Sequence, residues 1–297
     1  MASPSETVPR RVLVTGRDGF TGRYVAQDLE RAGYEVCGLN AHGGRVDLLD
    51  AAAVQAAVAG IRPWAVIHLA AIAFVAHGDV DSLYRTNIVG TRHLLAALAE
   101  LPAAPSIVVL ASSANVYGQA AGQTGKLDES VPAAPANDYA VSKLAMEYMA
   151  RTWSDRLPLV FTRPFNYTGV GQDERFLIPK IVAHFRRGEG IVELGNLDVW
   201  REFMDVRTVA WTYRRLLETC GEGDTFNICT GNSHSLREVV AMMEDIAGHA
   251  IEVRVNPAFV RANEVQCLVG DPARLQRRIG PFPQRVLRET LHWMYGA

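Results

Sequence analysis

Residues 15–22 read TGRDGFTG, and their reading decides the fold. They follow the apolar run RVLVT (11–15) and precede YVAQDLERAG (24–33), whose apolar residues recur at helical spacing and stop at a glycine. Gly16, Gly19 and Gly22 stand three apart. Glycines in a strand-to-helix turn permit the tight turn, close approach of a pyrophosphate and close packing of the helix on the strand. The helix N-terminus then offers its N–H groups and positive dipole end to the phosphates. A glycine repeat in this context points to a dinucleotide held by Gly16, Arg17, Asp18, Gly19, Phe20 and Gly22.

Outward from this turn, strands alternate with helices. YEVCGLN (34–40) reads as a strand and DAAAVQAAVAG (50–60) as a helix. WAVIHLAA (64–71) and SIVVLASS (106–113) are continuous apolar runs, as suits parallel strands covered on both faces. LPLVFTRPFN (157–166) is a further strand, and DTFNICTG (224–231) reads as a strand returning to the sheet. This is the pattern of an α/β, Rossmann-type doubly wound parallel sheet. After Asn166 the pattern changes to an amphipathic helix, a hairpin-like stretch IVELGNLDVWREFMDV (191–206), the helix TVAWTYRRLLETC (208–220) and a smaller mixed lobe. The predicted division is a dinucleotide-binding domain of residues 10–165 plus about 200–230, and a discontinuous substrate lobe of about 166–199 and 231–297. The Ala/Gly/Pro-rich stretch 120–137 is a long loop, and loops of that length inside a domain are often functional.

The bulk composition narrows the partners. Of 297 residues, 48% are hydrophobic and 21% charged, with a formal net charge of -2, so nothing points to nucleic acid or an acidic membrane surface. No run is long and apolar enough to span a bilayer. MASPSETVPRR lacks the apolar centre of a secretory signal, which predicts a cytoplasmic protein. The four cysteines form no C-x-x-C and sit in apolar surroundings, as suits buried thiols in a reducing compartment. The eight histidines form no ligand cluster, so no metal is expected.

The second strand commonly ends in an acid that holds the ribose 2′-hydroxyl of NAD. Here it ends in Leu39–Asn40. Arg17 and Arg45 are placed to meet a 2′-phosphate instead, which tilts the expected cofactor from NAD(H) toward NADP(H); solvated surface arginines are the other reading. Asn40, Asp47 and Leu48 are the remaining candidates on the adenosine side, and Leu69, Ala70 and Ala71 follow the third strand.

Residues 138–143 read DYAVSK. Tyr139 and Lys143 are four apart and share a helix face. A lysine beside a phenol favours the phenolate and is expected to lower the tyrosine pKa. Ser112 and Ser113 end the strand SIVVLASS, where open α/β sheets bind ligands. A serine that holds a carbonyl, a tyrosine that passes a proton and a lysine that holds both the tyrosine and a ribose suit hydride transfer from a nicotinamide.

Together TGRDGFTG, NIVGT (87–91), SSANVYG (112–118) and YAVSK (139–143) resemble the extended short-chain dehydrogenase/reductase family, in its sugar-nucleotide-modifying branch. The resemblance covers nearly the whole chain. It implies Ser113, Tyr139 and Lys143 as the catalytic set, with Tyr139 and Lys143 also touching the cofactor, and Asn87 in the helix beneath the site. It implies a homodimer built on the YAVSK helix, where Met146, Tyr148, Met149 and Trp153 are the apolar candidates and core packing is the other reading. Dehydratases of this branch place acids directly after the catalytic serine or threonine; here Ala114 and Asn115 stand there, and neither is an acid or base for eliminating water.

RPFNYTGVGQDERFLIPK (163–180) and LGNLDVWREFMDVRTV (194–209) are similar to GDP-4-keto-6-deoxymannose reductases. That likeness implies a nucleotide-diphosphate sugar held by Ser113, Asn166, Lys180, Arg201, Arg261 and Glu264, with arginine forks on phosphate oxygens. Tyr167 and Val170 depart from the His and Pro usual there, RANEV (261–265) lacks a proline, and IAFVAHGD (72–79) lacks a glutamine and a serine, with Ile72 and Gly78 in place and His77 nearby. The implied reaction is NAD(P)H-dependent reduction of a 4-keto-6-deoxyhexose, GDP-4-keto-6-deoxy-D-mannose to GDP-D-rhamnose. A 4-epimerase with tightly bound NAD and a non-catalytic NADP-sensing protein are the alternatives.

Overall fold

Three short strands whose inner residues no solvent reaches form the middle of the main sheet. The computed structural model describes residues 10–41, 44–73, 79–120, 125–219, 223–259, 265–283 and 285–297. The main sheet has six strands: β1 (Arg11–Thr15), β2 (Glu35–Cys37), β3 (Ala65–His68), β4 (Ile107–Ala111), β5 (Leu159–Pro164) and β6 (Thr225–Ile228), in the order β6-β5-β4-β3-β1-β2. β1 pairs in parallel with β2 and β3, and β3 with β4. The order reverses between β1 and β3, and ligands of such sheets bind at the carboxyl ends of the strands beside that switch point. TGRDGFTG leaves β1 there and Leu69–Ala71 leaves β3. Val12–Val14, Ala65–Ile67 and Val108–Leu110 are wholly buried, which is why these runs do not alternate in polarity.

Helices follow the strands: α1 (Phe20–Arg31), α2 (Ala51–Ile61), α3 (Thr91–Ala99), α4 (Asp138–Arg151), α5 (Leu177–Arg186), α6 (Val206–Thr219), α7 (Leu236–Ala247) and α8 (Leu287–Tyr295). Caps written in the sequence set several of their ends. Asp50 accepts from Ala53 N at 3.0 Å to start α2. Ser235 and Glu238 form a capping box on α7, and Gly248 at φ 74 ends it.

Packing groups the chain into two units. The first holds residues 1–111, 145–161 and 213–224, the second 112–144, 162–212 and 225–297. This differs from the sequence-based division, because residues 112–144, which carry Ser113 and Tyr139, pack with the second unit. The core of the first unit gathers Leu13, Val66, Val108, Leu94, Leu98, Met146 and Phe161. Met149 and Trp153 pack against that core, so three of the four apolar residues considered for a dimer face turn inward, while Tyr148 is 67% exposed. Of the cysteines described, Cys229 is buried but Cys37 and Cys267 are only half-buried.

In the second unit the expected hairpin of 191–206 does not form. Ile191–Leu194 pairs in parallel with Glu252–Val255, and Trp200–Arg201 lies between His234–Ser235 and Cys267–Leu268. Each arm finds a distant partner instead of its neighbour. Beside it the fully buried Glu202 gathers four hydrogen bonds: Gly270 N donates to Oε1 at 2.6 Å, and Thr230 N, Thr230 Oγ1 and Gly231 N donate to Oε2 at 2.6, 3.0 and 3.1 Å. Burial still raises this carboxyl above the ordinary range, with those bonds opposing it. Glu202→Gln sets an amide NH2 against one of these N–H groups and is expected to cost about 2 kcal/mol, read as a lower urea midpoint.

Candidate active site

In the first unit, β1 passes into α1 through a turn where backbone touches backbone. A Cβ on Gly22 would stand 2.1 Å from Gly16 O, and one on Gly16, at φ +69, 3.0 Å from Ala70 N. Glycine at these positions is therefore obligatory. Gly19 caps α1 without a side-chain hydrogen bond, and no acid occupies the first turn. Arg17 reaches the end of β2: its Cδ lies 3.6 Å from a Cβ placed on Gly38, and Asn40 Nδ2 lies 3.4 Å from the same point. Arg17 Nη2 pairs with Glu30 at 3.1 Å. Asp47 accepts from Leu49 N at 2.9 Å in its own turn. Leu48 is buried, with its carbonyl accepting from His93 Nδ1 at 2.9 Å. The backbone of Arg45 lies in a short antiparallel pair with Asn40.

Asn87 sits in a π-helical segment, Arg85–Gly90, a form that often marks functional sites. Its carboxamide accepts from Ile72 N at 2.9 Å and donates to Ile72 O at 3.1 Å. Both ends of the side chain thus hold the turn that carries Leu69, Ala70 and Ala71.

The second unit carries the serine, tyrosine and lysine. Ser113 follows β4 and accepts from Asn115 N at 3.1 Å. Gly118, at φ +42, lets the returning loop come in: a Cβ there would stand 2.1 Å from Ala134 O. Ala134 N in turn donates to Val116 O at 3.0 Å. Asn137 starts α4 by accepting from Ala140 N at 2.9 Å, which puts Tyr139 in the first turn. The Ser113 hydroxyl faces the Tyr139 phenol. Lys143, one turn on, is buried. The Tyr139 ring is half-buried, but protein encloses its hydroxyl. That burial, reinforced by the Tyr167 phenol, outweighs the Ser113 hydroxyl and pushes the phenol up to about 12. The spacing to Lys143 predicts the opposite direction; desolvation of the phenolate decides it.

Sequence reading missed the bracing behind this set. Tyr117 donates to Asn227 Oδ1 at 2.8 Å and accepts from Arg163 Nη1 at 3.1 Å, while Asn227 N donates to Glu129 at 2.7 Å. Only the tyrosine of SSANVYG was visible as a signal. Among the sugar-side candidates, Lys180 Nζ donates to Glu193 O at 2.7 Å and lies 4.3 Å over the Phe259 ring. Arg201 Nη1 donates to Trp200 O at 2.9 Å and Gln266 O at 3.2 Å. Arg261, Glu264 and His77 lie outside the described residues.

Among the described residues, three buried side-chain atoms have no hydrogen-bond partner: Arg17 Nε, Ser112 Oγ and Asn166 Nδ2. Each belongs to a segment that the motifs assign to ligand, and buried polar atoms are otherwise paired. Within the first unit, the glycine cradle and the unpartnered Arg17 Nε fit a nicotinamide dinucleotide. No group of three or more His, Cys, Asp or Glu among the described residues is arranged to hold a metal ion. No helix among them is long and apolar enough to cross a membrane.

The NAD dependent epimerase/dehydratase family model matches residues 12–229. The chain belongs to this family. Its members are nicotinamide-dependent enzymes of the extended short-chain dehydrogenase/reductase type. The chain is 34% identical over 287 residues to the GDP-6-deoxy-D-talose 4-dehydrogenase of Aggregatibacter actinomycetemcomitans, covering 96% of this chain and 97% of that protein. It is 33% identical over 291 residues to the GDP-6-deoxy-D-mannose reductase of Pseudomonas aeruginosa, covering 95% of each. Among solved structures, a Burkholderia cenocepacia J2315 chain described provisionally as an epimerase is 52% identical, with TM-score 0.91 over 97% of this chain and 98% of that one. RMD from Pseudomonas aeruginosa, complexed with NADPH, is 31% identical, with TM-score 0.86 over 97% of each chain.

The raised Tyr139 pKa has a sign that can be measured. A phenol that must be protonated to donate, and that titrates near 12, stays competent through the alkaline range. The kcat/KM for carbonyl reduction is therefore expected to show no alkaline limb from Tyr139 between about pH 7 and about pH 10. A limb in that range, abolished by Lys143→Met, would show the lysine lowering the phenol after all.

Proposed function

We propose that this protein reduces the C4 ketone of GDP-4-keto-6-deoxy-D-mannose, with NADPH favoured over NADH as reductant. The observation that carries the reading is a Tyr139 phenol pushed up to about 12 beside Ser113, with Ala114 and Asn115 after that serine offering no acid or base for dehydration. The two GDP-deoxyhexose relatives supply the sugar. The 6-deoxy-D-talose and 6-deoxy-D-mannose of those names differ only in configuration at C4, so a single 4-ketone relates to both. The product is GDP-D-rhamnose or its C4 epimer, distinguished by NMR of the product.

When bound, the reduced nicotinamide supplies the hydride. Ser113 and Tyr139 hold the C4 oxygen, and Tyr139 gives it a proton as negative charge develops there. Lys143 holds the nicotinamide ribose. Asn166, with its unpartnered Nδ2, and Arg201 bind the diphosphate, with Lys180, Arg261 and Glu264 on the sugar-nucleotide side. Arg17 and Arg45 receive the 2′-phosphate, and Asn40, Asp47 and Leu48 line the adenosine. The enzyme works as a cytoplasmic homodimer, for which the exposed Tyr148 on α4 is the contact that packing leaves available.

Absorbance of NADPH or NADH is followed with the GDP- and dTDP-4-keto-6-deoxyhexoses in parallel. Substrate-dependent loss of the reduced-cofactor band with the GDP sugar supports the reading; no loss with either overturns it. Tyr139→Phe is expected to lower kcat about 100-fold or more with NADPH affinity changed less than about threefold.

The Burkholderia neighbour favours a second reading, a nucleotide-sugar 4-epimerase. An epimerase retains its dinucleotide, so stoichiometric NAD released on denaturing the purified protein would move the assignment there.

A further inference from the structure

His68 ends β3, is 3% exposed, and is contacted on both ring nitrogens. Nδ1 lies 2.6 Å from Thr15 Oγ1, and Nε2 lies 2.9 Å from Thr91 Oγ1. Each threonine hydroxyl has one hydrogen to give. Thr91 gives its hydrogen to Asn87 O at 2.8 Å, so it accepts from the histidine. Thr15 Oγ1 accepts from Ala70 N at 3.1 Å, and among the described residues its own hydrogen has no acceptor but His68. One assignment uses every hydrogen: Ala70 N–H to Thr15, Thr15 to His68 Nδ1, His68 Nε2–H to Thr91, and Thr91 to the Asn87 carbonyl. The opposite tautomer strands the Thr15 hydrogen in a buried place, at the cost of an unmade bond. His68 is therefore a neutral imidazole protonated on Nε2.

The chain ends on the turn beside the glycine loop. Ala70 N, which Thr15 holds, is the atom nearest to a Cβ placed on Gly16, at 3.0 Å. Asn87, at the other end of the chain, holds both the N–H and the C=O of Ile72. Residues 69–72 are thus pinned at each end by groups that His68 joins through its ring.

We infer that His68 is a positioning residue for the dinucleotide. It sets the gap between the glycine turn and the Leu69–Ile72 turn, and touches neither cofactor nor sugar. The inference rests on the family's cofactor and not on the sugar proposed above, so a titration without sugar separates failure of one from failure of the other.

Two amides divide the ring's functions. His68→Asn keeps an acceptor where Nδ1 stood, facing Thr15; His68→Gln keeps a donor where Nε2 stood, facing Thr91. NADPH Kd is read by fluorescence for both variants and for Thr15→Val. Thr15→Val and His68→Gln are expected to weaken NADPH binding about tenfold, equivalent to about 1.4 kcal/mol, and His68→Asn less than about threefold. The kcat at saturating NADPH stays within about twofold. A histidine that merely fills the core would lower the thermal midpoints of both amide variants and leave their Kd values equal; that result overturns the inference. If a variant does not fold, the imidazole nitrogen spectrum of the 15N-histidine-labelled wild type still decides. An Nε2–H neutral signal for the buried ring supports the assignment, and an Nδ1–H or doubly protonated ring at neutral pH overturns it.

Discussion

The first unit depends on one close approach, that of α1 to the end of β1. A Cβ on Gly22 would stand 2.1 Å from Gly16 O, so helix and strand meet backbone to backbone with no side chain between them. That contact aims the start of α1 at the switch point of the sheet, where β1 and β3 diverge. Phosphate binding by helix N–H groups needs this aim, and it comes from a steric allowance made by three residues.

Around the carboxyl ends of the strands, the structure spends buried polar groups on loops. Thr15, His68, Thr91 and Asn87 brace the turn after β3 in the first unit. Tyr117, Arg163, Asn227 and Glu129 brace the segment after β4 in the second, and Glu202 gathers the backbone of Thr230, Gly231 and Gly270. Loop backbone brought in from solvent must find partners, and a satisfied buried network holds it in one geometry. Among the described residues, the buried side-chain atoms left without partners are Arg17 Nε in the first unit and Ser112 Oγ and Asn166 Nδ2 in the second.

Much of the candidate site was legible because its signals are local. Gly16, Gly19 and Gly22 announce their turn by steric necessity, and Tyr139 and Lys143 announce a shared helix face by spacing. The strand end offered Ser112 and Ser113 together, and the resemblance of SSANVYG to the family selected Ser113. His68 was not legible: a histidine at the end of an apolar run gives no sign that two threonines, one far before it and one far after it in the chain, will take both ring nitrogens. Tyr139 was found, yet the direction of its pKa was misread. Lys143 is four residues away in sequence, whereas the phenol is governed by burial in the surrounding protein and, second, by the charge of the Tyr167 phenol.

By itself the sequence determined the alternation of strands and helices, the dinucleotide turn and the capped start of α7, since each depends on sterics and hydrogen bonds within a few residues. Tertiary structure alone decided that Ile191–Leu194 pairs with Glu252–Val255 and not with its neighbour, and that Met146 turns into the core. It also decided that the phenol of Tyr139 is pushed up and not down. Those outcomes are set by desolvation and by partners dozens of residues distant, and no short window of sequence contains both members of such a pair.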